Sequence, residues 1–291
     1  MKRLLTFLMM VAAMPLWAQD YHQDRTVKIW DNSSAPHSNG ITEKEYERSK
    51  GIITSITEAT LYIYEADKEK ATGQAIVICP GGGYINACMD YEGYMMAEWL
   101  NTQGITCGVL KYRMPNGHKE VPLEDAVEAL RTMRKMSKEL NIDPAKVGIM
   151  GFSAGGHLAA YTSNFAPEGE KPAFSILFYP VITGEWGLCH KGSFDNLLGA
   201  DASETLRAEY SLENRITKST PPALLLLSDH DTVVPTISSI RYYNALKKHG
   251  IEAAMHIYPE GYHGWGIRED FPYIKQWQAA MVDWLAGLNK K

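Results

Sequence analysis

Lys146-Val147-Gly148-Ile149-Met150-Gly151-Phe152-Ser153-Ala154-Gly155-Gly156-His157 passes from apolar residues through a glycine-flanked serine into Leu158, Ala159 and Ala160. Val147 to Met150 reads as a short buried strand and His157 to Asn164 as the start of a helix. Gly151 and Gly155 bracket Ser153 as G-x-S-x-G, the pattern of a nucleophile on a tight strand-to-helix turn. The requirement is steric: the turn strains the serine backbone, and side chains at the flanking positions would collide with neighbouring backbone. Such a turn lifts the Ser153 hydroxyl clear of the sheet and points the free N–H groups of the new helix at the same spot. The bland alternative is a glycine-rich turn with an idle serine, and the strand before and helix after weigh against it.

Working outward, Ala75 to Cys79 is a continuous apolar run, as expected of a strand buried on both faces. It ends in Pro80-Gly81-Gly82-Gly83-Tyr84. Three consecutive glycines cost conformational entropy that a plain turn does not need, and suit a place where backbone N–H groups approach a reacting oxygen. A helix is expected from about Glu92 to Asn101, a strand from Ile105 to Leu110, and a long amphipathic helix from Pro122 to Leu140. The Ala126, Val127, Leu130, Met133 and Met136 stripe of that long helix is core packing. Beyond the elbow, strands are expected at Phe174 to Tyr179, Ala223 to Leu227 and Ala253 to Tyr258, with helices at Thr236 to His249 and Phe271 to Leu288. Pro180 to Pro222 reads as an irregular stretch, a candidate cap. Near the start, Thr26 to Trp30 alternates like an edge strand, and Ile52 to Ile56 with Thr60 to Tyr64 predicts an antiparallel pair at one sheet edge. The alternation of short strands and amphipathic helices predicts one α/β domain around a mostly parallel sheet with helices on both faces.

A serine hydroxyl needs a base to take its proton, and the base needs an orienting acid. On a sheet of this kind the acid and then the histidine follow the serine, each in a loop after a strand. Asp231 follows the Leu224 to Leu227 strand, and His263, within Gly261-Tyr262-His263-Gly264-Trp265-Gly266, follows the Met255 to Tyr258 strand. His157, His230 and His256 fit the base role worse, being inside a helix, beside the acid and within a strand. Asp229 is the rival acid, expected instead to tie down its loop by side-chain hydrogen bonds. The amides of Gly82, Gly83 and Ala154 are the expected oxyanion donors; Pro80 has none to give. Tyr84, Trp186 and Trp265 are candidate substrate contacts, with His190 and Phe194 also placed to line a cleft, each against the plainer alternative of packing.

The 291 residues are 45% hydrophobic and 22% charged, ordinary globular composition that needs neither metal nor disulfide to hold a core. A formal net charge of -5 with no basic cluster argues against nucleic acid as a partner. Lys2 and Arg3 precede the apolar run Leu4 to Ala13, and Ala18 supplies a small residue before Gln19. That is the pattern of a cleaved secretory signal at residues 1–18, too short in its apolar part for a membrane anchor. The mature chain, 19–291, is then expected to be exported, secreted or periplasmic, as one catalytic domain. Cys79, Cys88, Cys107 and Cys189 allow three full pairings and match no zinc pattern; Cys79 and Cys107 sit in strand-like runs where a free buried thiol is expected.

These residues resemble the α/β-hydrolase superfamily, and within it the secreted carbohydrate-esterase-like proteins related to acetyl xylan esterases of gut and rumen bacteria. The matching pieces are Pro80-Gly81-Gly82-Gly83-Tyr84, Gly151-Phe152-Ser153-Ala154-Gly155-Gly156-His157, Asp231-Thr232-Val233-Val234-Pro235 and Gly261-Tyr262-His263-Gly264. Lys28-Ile29-Trp30 through Ala35-Pro36 is similar to that group's leading segment. The resemblance implies Ser153 as nucleophile, His263 as base, Asp231 as acid, no cofactor and no metal. It implies an acylated plant polysaccharide or its oligosaccharides as partner, with acetyl or feruloyl as the acyl group. One departure is Pro80, where lipase-like relatives carry histidine before the glycines, which leaves the bracing of the oxyanion loop unexplained. Two other readings remain: a prolyl-oligopeptidase-like peptidase, for whose usual gating domain the chain has no room, and a catalytically dead sugar-binding relative.

Overall fold

In a computed structural model, which describes residues 22–290, eight strands form one sheet and three form a second. The strands are β1 (Arg25–Asp31), β2 (Tyr46–Ser49), β3 (Ile52–Thr54), β4 (Glu58–Tyr64), β5 (Ala75–Cys79), β6 (Asn86–Cys88), β7 (Thr106–Lys111), β8 (Val147–Phe152), β9 (Ser175–Phe178), β10 (Ala223–Ser228) and β11 (Ala253–Tyr258). The large sheet runs β1-β4-β7-β5-β8-β9-β10-β11; the first two pairings are antiparallel and the rest parallel. Strands β5, β7, β8, β9 and β10 are buried at every residue, which is why they read as unbroken apolar runs rather than as alternation.

The helices are α1 (Met95–Thr102), α2 (Glu120–Lys135), α3 (Ser153–Phe165), α4 (Lys191–Leu198), α5 (Glu204–Glu209), α6 (Thr236–Lys248) and α7 (Ile274–Asn289). α2 and α3 lie side by side over β5 and β8. α1 and α7 meet through Trp99 and Trp277, whose rings are 5.2 Å apart. The stretch after Pro180 is less irregular than expected: it holds α4, α5 and a short 3₁₀ turn, Leu212–Asn214. The expected signal peptide lies outside the described residues.

The N-terminal edge differs from expectation. β4 pairs antiparallel with β1, not with Ile52 to Ile56. Ile52–Thr54 belongs to the second sheet, between Tyr46–Ser49 and Asn86–Cys88. Both segments alternate, and alternation records a half-buried face without naming the strand's partner. Trp30 is hydrogen-bonded as well as packed. Its indole N–H donates to Asp125 Oδ1 at 2.6 Å, and the same buried carboxylate takes Arg113, whose guanidinium also donates to the His37 carbonyl. The leading segment is thereby fastened to the start of α2 and the end of β7.

His157 sits inside α3 with no exposed surface, as its helical position suggested. Its Nε2–H donates to the Tyr210 carbonyl at 3.1 Å, so Nδ1 is the acceptor for the Tyr84 hydroxyl at 3.0 Å. Burial pushes its pKa down to about 4. Between that value and the 6.5 of an exposed imidazole, the unfolded chain binds a proton that the folded chain refuses. This part of the stability is therefore complete above about pH 6.5 and falls as the pH drops toward about 4, by on the order of 3 kcal/mol. Calorimetry at pH 4.5 and 7 should show a drop in Tm for the native chain and a shallower one for His157→Gln.

Candidate active site

The turn after β8 is as tight as its glycines require. Ser153 has φ 52°, in the left-handed region that an L-residue enters only under constraint. A Cβ on Gly151 would lie 2.0 Å from the Gly155 carbonyl oxygen, and one on Gly155 2.1 Å from that of Cys79. Only glycine leaves room for strand, turn and helix to cross so closely. Ser153 opens α3, so the Ala154 N–H belongs to the first turn, where no intrahelical acceptor exists.

Asp231 and His263 lie just past the C-terminal ends of β10 and β11, on the same rim of the parallel sheet as Ser153. His263 Nε2 is 2.7 Å from Ser153 Oγ, and His263 Nδ1 is 2.7 Å from Asp231 Oδ2. Asp231 Oδ1 accepts the backbone N–H groups of Val233 and Val234, both at 2.9 Å, so each of its oxygens is engaged. A carboxylate there keeps the proton of a neutral imidazole on Nδ1 and leaves Nε2 as a lone pair facing the serine hydroxyl. Asp229 is different from expectation: its carboxylate is exposed and makes no side-chain hydrogen bond among the described residues, and its backbone N–H is tied to the Tyr258 carbonyl at 2.8 Å.

Gly82 and Gly83 line the same cavity as Ser153 and His263, and neither of their N–H groups is used by another group among the described residues. Gly83 is held from behind by the Asn196 side chain, which donates to its carbonyl at 2.8 Å. The cavity measures about 370 Å³ and is completed by Ile85, Tyr91, His190 and Val233. His190 does line the cleft; burial lowers its pKa, and its ring is fixed against Ser193 Oγ at 2.8 Å.

The three proposed substrate contacts do not line this cavity. Tyr84 is 1% exposed and packs on Tyr112 and His157. Trp265 is fully buried, its N–H donated to Ser228 Oγ at 2.9 Å and its ring stacked 4.1 Å from Phe271. Trp186 is 47% exposed, but it faces a separate cavity of about 600 Å³ with Glu185, Glu213 and Arg241. A motif places a residue near a site along the chain, whereas the loop's own turn decides which side it presents. Phe194 is likewise core, packed against His157. Ile85, Cys88, Tyr91, Glu92 and Val233 line the cavity without being singled out by pattern. Glu92 reads as an ordinary helix-start acid and lies nine residues beyond Gly83, past a short strand, so no local pattern signals its place in the cleft. All four cysteines are unpaired, with Cys79 and Cys107 fully buried and their thiols pushed up by desolvation. Among the described residues there is no group of three or more His, Cys, Asp or Glu able to hold a metal, and no helix long and apolar enough to cross a membrane.

A serine on a strained turn, an imidazole and a carboxylate in line, and free amides across a cleft are the parts that nucleophilic-serine hydrolysis requires. The chain belongs to the α/β-hydrolase fold family, whose pattern matches residues 76–267. It is 41% identical over 224 residues to an acetylxylan esterase of Xylanibacter ruminicola, covering 76% of this chain and 47% of that protein. It is 33% identical over 245 residues to endo-1,4-beta-xylanase B of Butyrivibrio fibrisolvens, covering 78% of this chain and 37% of that one. This chain thus spans about half or less of the length of these curated relatives. Among solved structures, the acetyl ester-xyloside bifunctional hydrolase of Caldicellulosiruptor lactoaceticus superposes with a TM-score of 0.77 at 32% identity, over 93% of this chain and 98% of that one.

Proposed function

We propose that this chain is an exported serine carboxylic-ester hydrolase, one catalytic domain over residues 19–291, that removes short acyl groups, acetyl foremost, from xylan or its oligosaccharides. The observation that carries the reading is the unbroken Ser153–His263–Asp231 hydrogen-bond chain, with 2.7 Å at each step, opening on a cleft lined by unused amides. In that geometry Ser153 Oγ attacks the ester carbonyl as His263 Nε2 takes its proton, and Asp231 stabilises the imidazolium. The amides of Gly82, Gly83 and Ala154 receive the developing oxyanion. The imidazolium then protonates the departing sugar oxygen as its bond to the acyl carbon breaks; a water deprotonated by His263 attacks the acyl-serine, and the imidazolium returns the proton to Ser153 Oγ as the acid leaves. The sugar side of the reading rests on the kinship with the acetylxylan esterase and the acetyl ester-xyloside hydrolase. The export side rests on the basic, then apolar, start of the sequence.

Acyl length tests the cleft directly. Its walls are contributed by the glycine loop, Ile85 and Val233, without a long apolar helix to shelter a fatty chain. Aryl acetate should be turned over faster than aryl octanoate. The reverse order would mean that each added methylene is gaining about 0.8 kcal/mol in an apolar tunnel, and would overturn the short-acyl reading. Release assays on acetylated xylan, feruloylated arabinoxylan and prolyl peptides, run side by side, should give acetate as the main product. Release of ferulate or of peptide fragments at a higher kcat/KM would reassign the substrate.

A further inference from the structure

The oxyanion loop of this chain starts with Pro80, which has no N–H and no polar side chain to hold the glycines in place. Something else must fix Gly82 and Gly83, because an amide misplaced by about 1 Å loses much of its value to the transition state. Tyr112 takes part of that task by donating its hydroxyl to the Pro80 carbonyl at 2.8 Å. The Gly82 carbonyl accepts the Ile85 and Asn86 N–H groups, the Asn196 side chain holds Gly83, and the Gly81 N–H is held by one buried acid. Glu92 is 2% exposed, lines the catalytic cavity, and is carried on a single π-helical turn, Asp90–Tyr94, directly before α1. Such turns are rare and cluster at functional sites, since the extra residue re-aims a side chain that an α-helix would direct elsewhere.

The two Glu92 oxygens serve two different loops. Oε2 accepts the Gly81 N–H at 2.8 Å. Oε1 accepts the Tyr179 hydroxyl, also at 2.8 Å. Tyr179 in turn accepts the Gly266 N–H at 2.8 Å on its hydroxyl oxygen, and its ring lies edge-on to His263 with centroids 4.9 Å apart. Tyr179 holds φ 34°, a strained value for a non-glycine residue, and this keeps the phenol beneath the site. Burial pushes the Glu92 carboxyl above the usual range, and the two donors pull in the opposite direction. A group so costly to bury is tolerated where both its oxygens are satisfied.

We propose that Glu92 is a positioning residue for this reaction, holding the oxyanion loop through Gly81 and the His263 loop through Tyr179 and Gly266, so that hole and base keep a fixed separation. It rests on the reading that Ser153 and His263 carry out ester hydrolysis. The amide isostere cannot replace it. A glutamine has one acceptor oxygen and one NH₂: if the oxygen takes Gly81, the NH₂ meets the Tyr179 hydroxyl and leaves that proton unpartnered. If the oxygen takes Tyr179, the NH₂ faces the Gly81 N–H head on. Either way one loop loses its anchor.

Glu92→Gln and Tyr179→Phe should each lower kcat for a simple aryl acetate, the first by about 10- to 100-fold, with KM within about twofold and at most a modest fall in thermal midpoint from the buried group left unpaired. The rate of fluorophosphonate labelling at Ser153 should fall in parallel, since the phosphonyl oxygen uses the same hole. A merely structural Glu92 predicts the opposite pattern, a lower midpoint with kcat and labelling rate intact, and that result overturns the proposal. Should Glu92→Gln fail to fold, Tyr179→Phe, which deletes one hydroxyl, decides by the same two rates. Absence of Ser153 labelling in the unmodified chain would instead remove the ester-hydrolase reading; normal labelling in both the unmodified chain and the variants removes only the role of Glu92.

Discussion

Ser153→Ala is expected to lower kcat for an acetyl ester by on the order of 10⁶, the scale seen when a triad serine is removed from another serine hydrolase, and to abolish fluorophosphonate labelling. The fold should be untouched. Alanine keeps the Cβ that Ser153 already carries at φ 52°, so the backbone strain is no greater, and the lost contact is the 2.7 Å bond to His263. Alanine at this site removes the nucleophile without opening a cavity in the core. Circular dichroism and a thermal midpoint close to that of the unmodified chain, together with null turnover, are the expected pair of readings. Full labelling of the alanine variant would move the nucleophile elsewhere.

The second large effect concerns the acid. Asp231→Asn should cost on the order of 10⁴ in kcat, the scale measured for the equivalent change in a serine protease, and the geometry says why. The Val233 and Val234 N–H groups both point at Oδ1. An asparagine must therefore keep its carbonyl oxygen on that side and turn its NH₂ toward His263 Nδ1. A donor there forces the imidazole proton onto Nε2, the atom that has to accept from Ser153. The activity should be lost at every pH between 6 and 9, with the loop intact. Asp229→Asn, at an exposed side chain without hydrogen bonds among the described residues, should change neither rate nor midpoint appreciably. A large rate loss in Asp229→Asn with activity retained in Asp231→Asn would reverse the assignment.

Much of this was legible in the chain because the signals are local. The elbow is a local collision problem, and Gly151 and Gly155 answer it within five residues. Buried parallel strands such as β10 announce themselves as apolar runs, and the loops after β10 and the half-buried β11 hold Asp231 and His263 in the expected order. What sequence did not disclose is set by distant partners. Ile52–Thr54 alternates as well beside Asn86–Cys88 as it would beside Glu58–Tyr64, and only the three-dimensional arrangement chooses. Tyr84 and Trp265 are within one or two residues of the oxyanion glycines and of His263, yet both turn inward, because each has a buried acceptor to meet, His157 and Ser228. Glu92 reads as a helix-start acid until the π-helical turn shows where its carboxylate points.

The placement of Trp265 also bears on how the protein comes to be active. The ring two residues beyond His263 is stacked on Phe271 and packed against Phe178 of β9 and Trp277 of α7. The His263 loop is thus shaped in part by Phe271 and α7, which leave the ribosome after the elbow, the oxyanion glycines and Asp231 have all been made. Parallel strands joined by crossovers pair over long sequence separations and assemble slowly. A chain translated only as far as α6 carries Ser153, the glycine loop and Asp231 but lacks His263, and is expected to give no ester turnover. Onset of ester turnover during synthesis or refolding is therefore expected to follow the packing of Phe271 and Trp277 against Trp265.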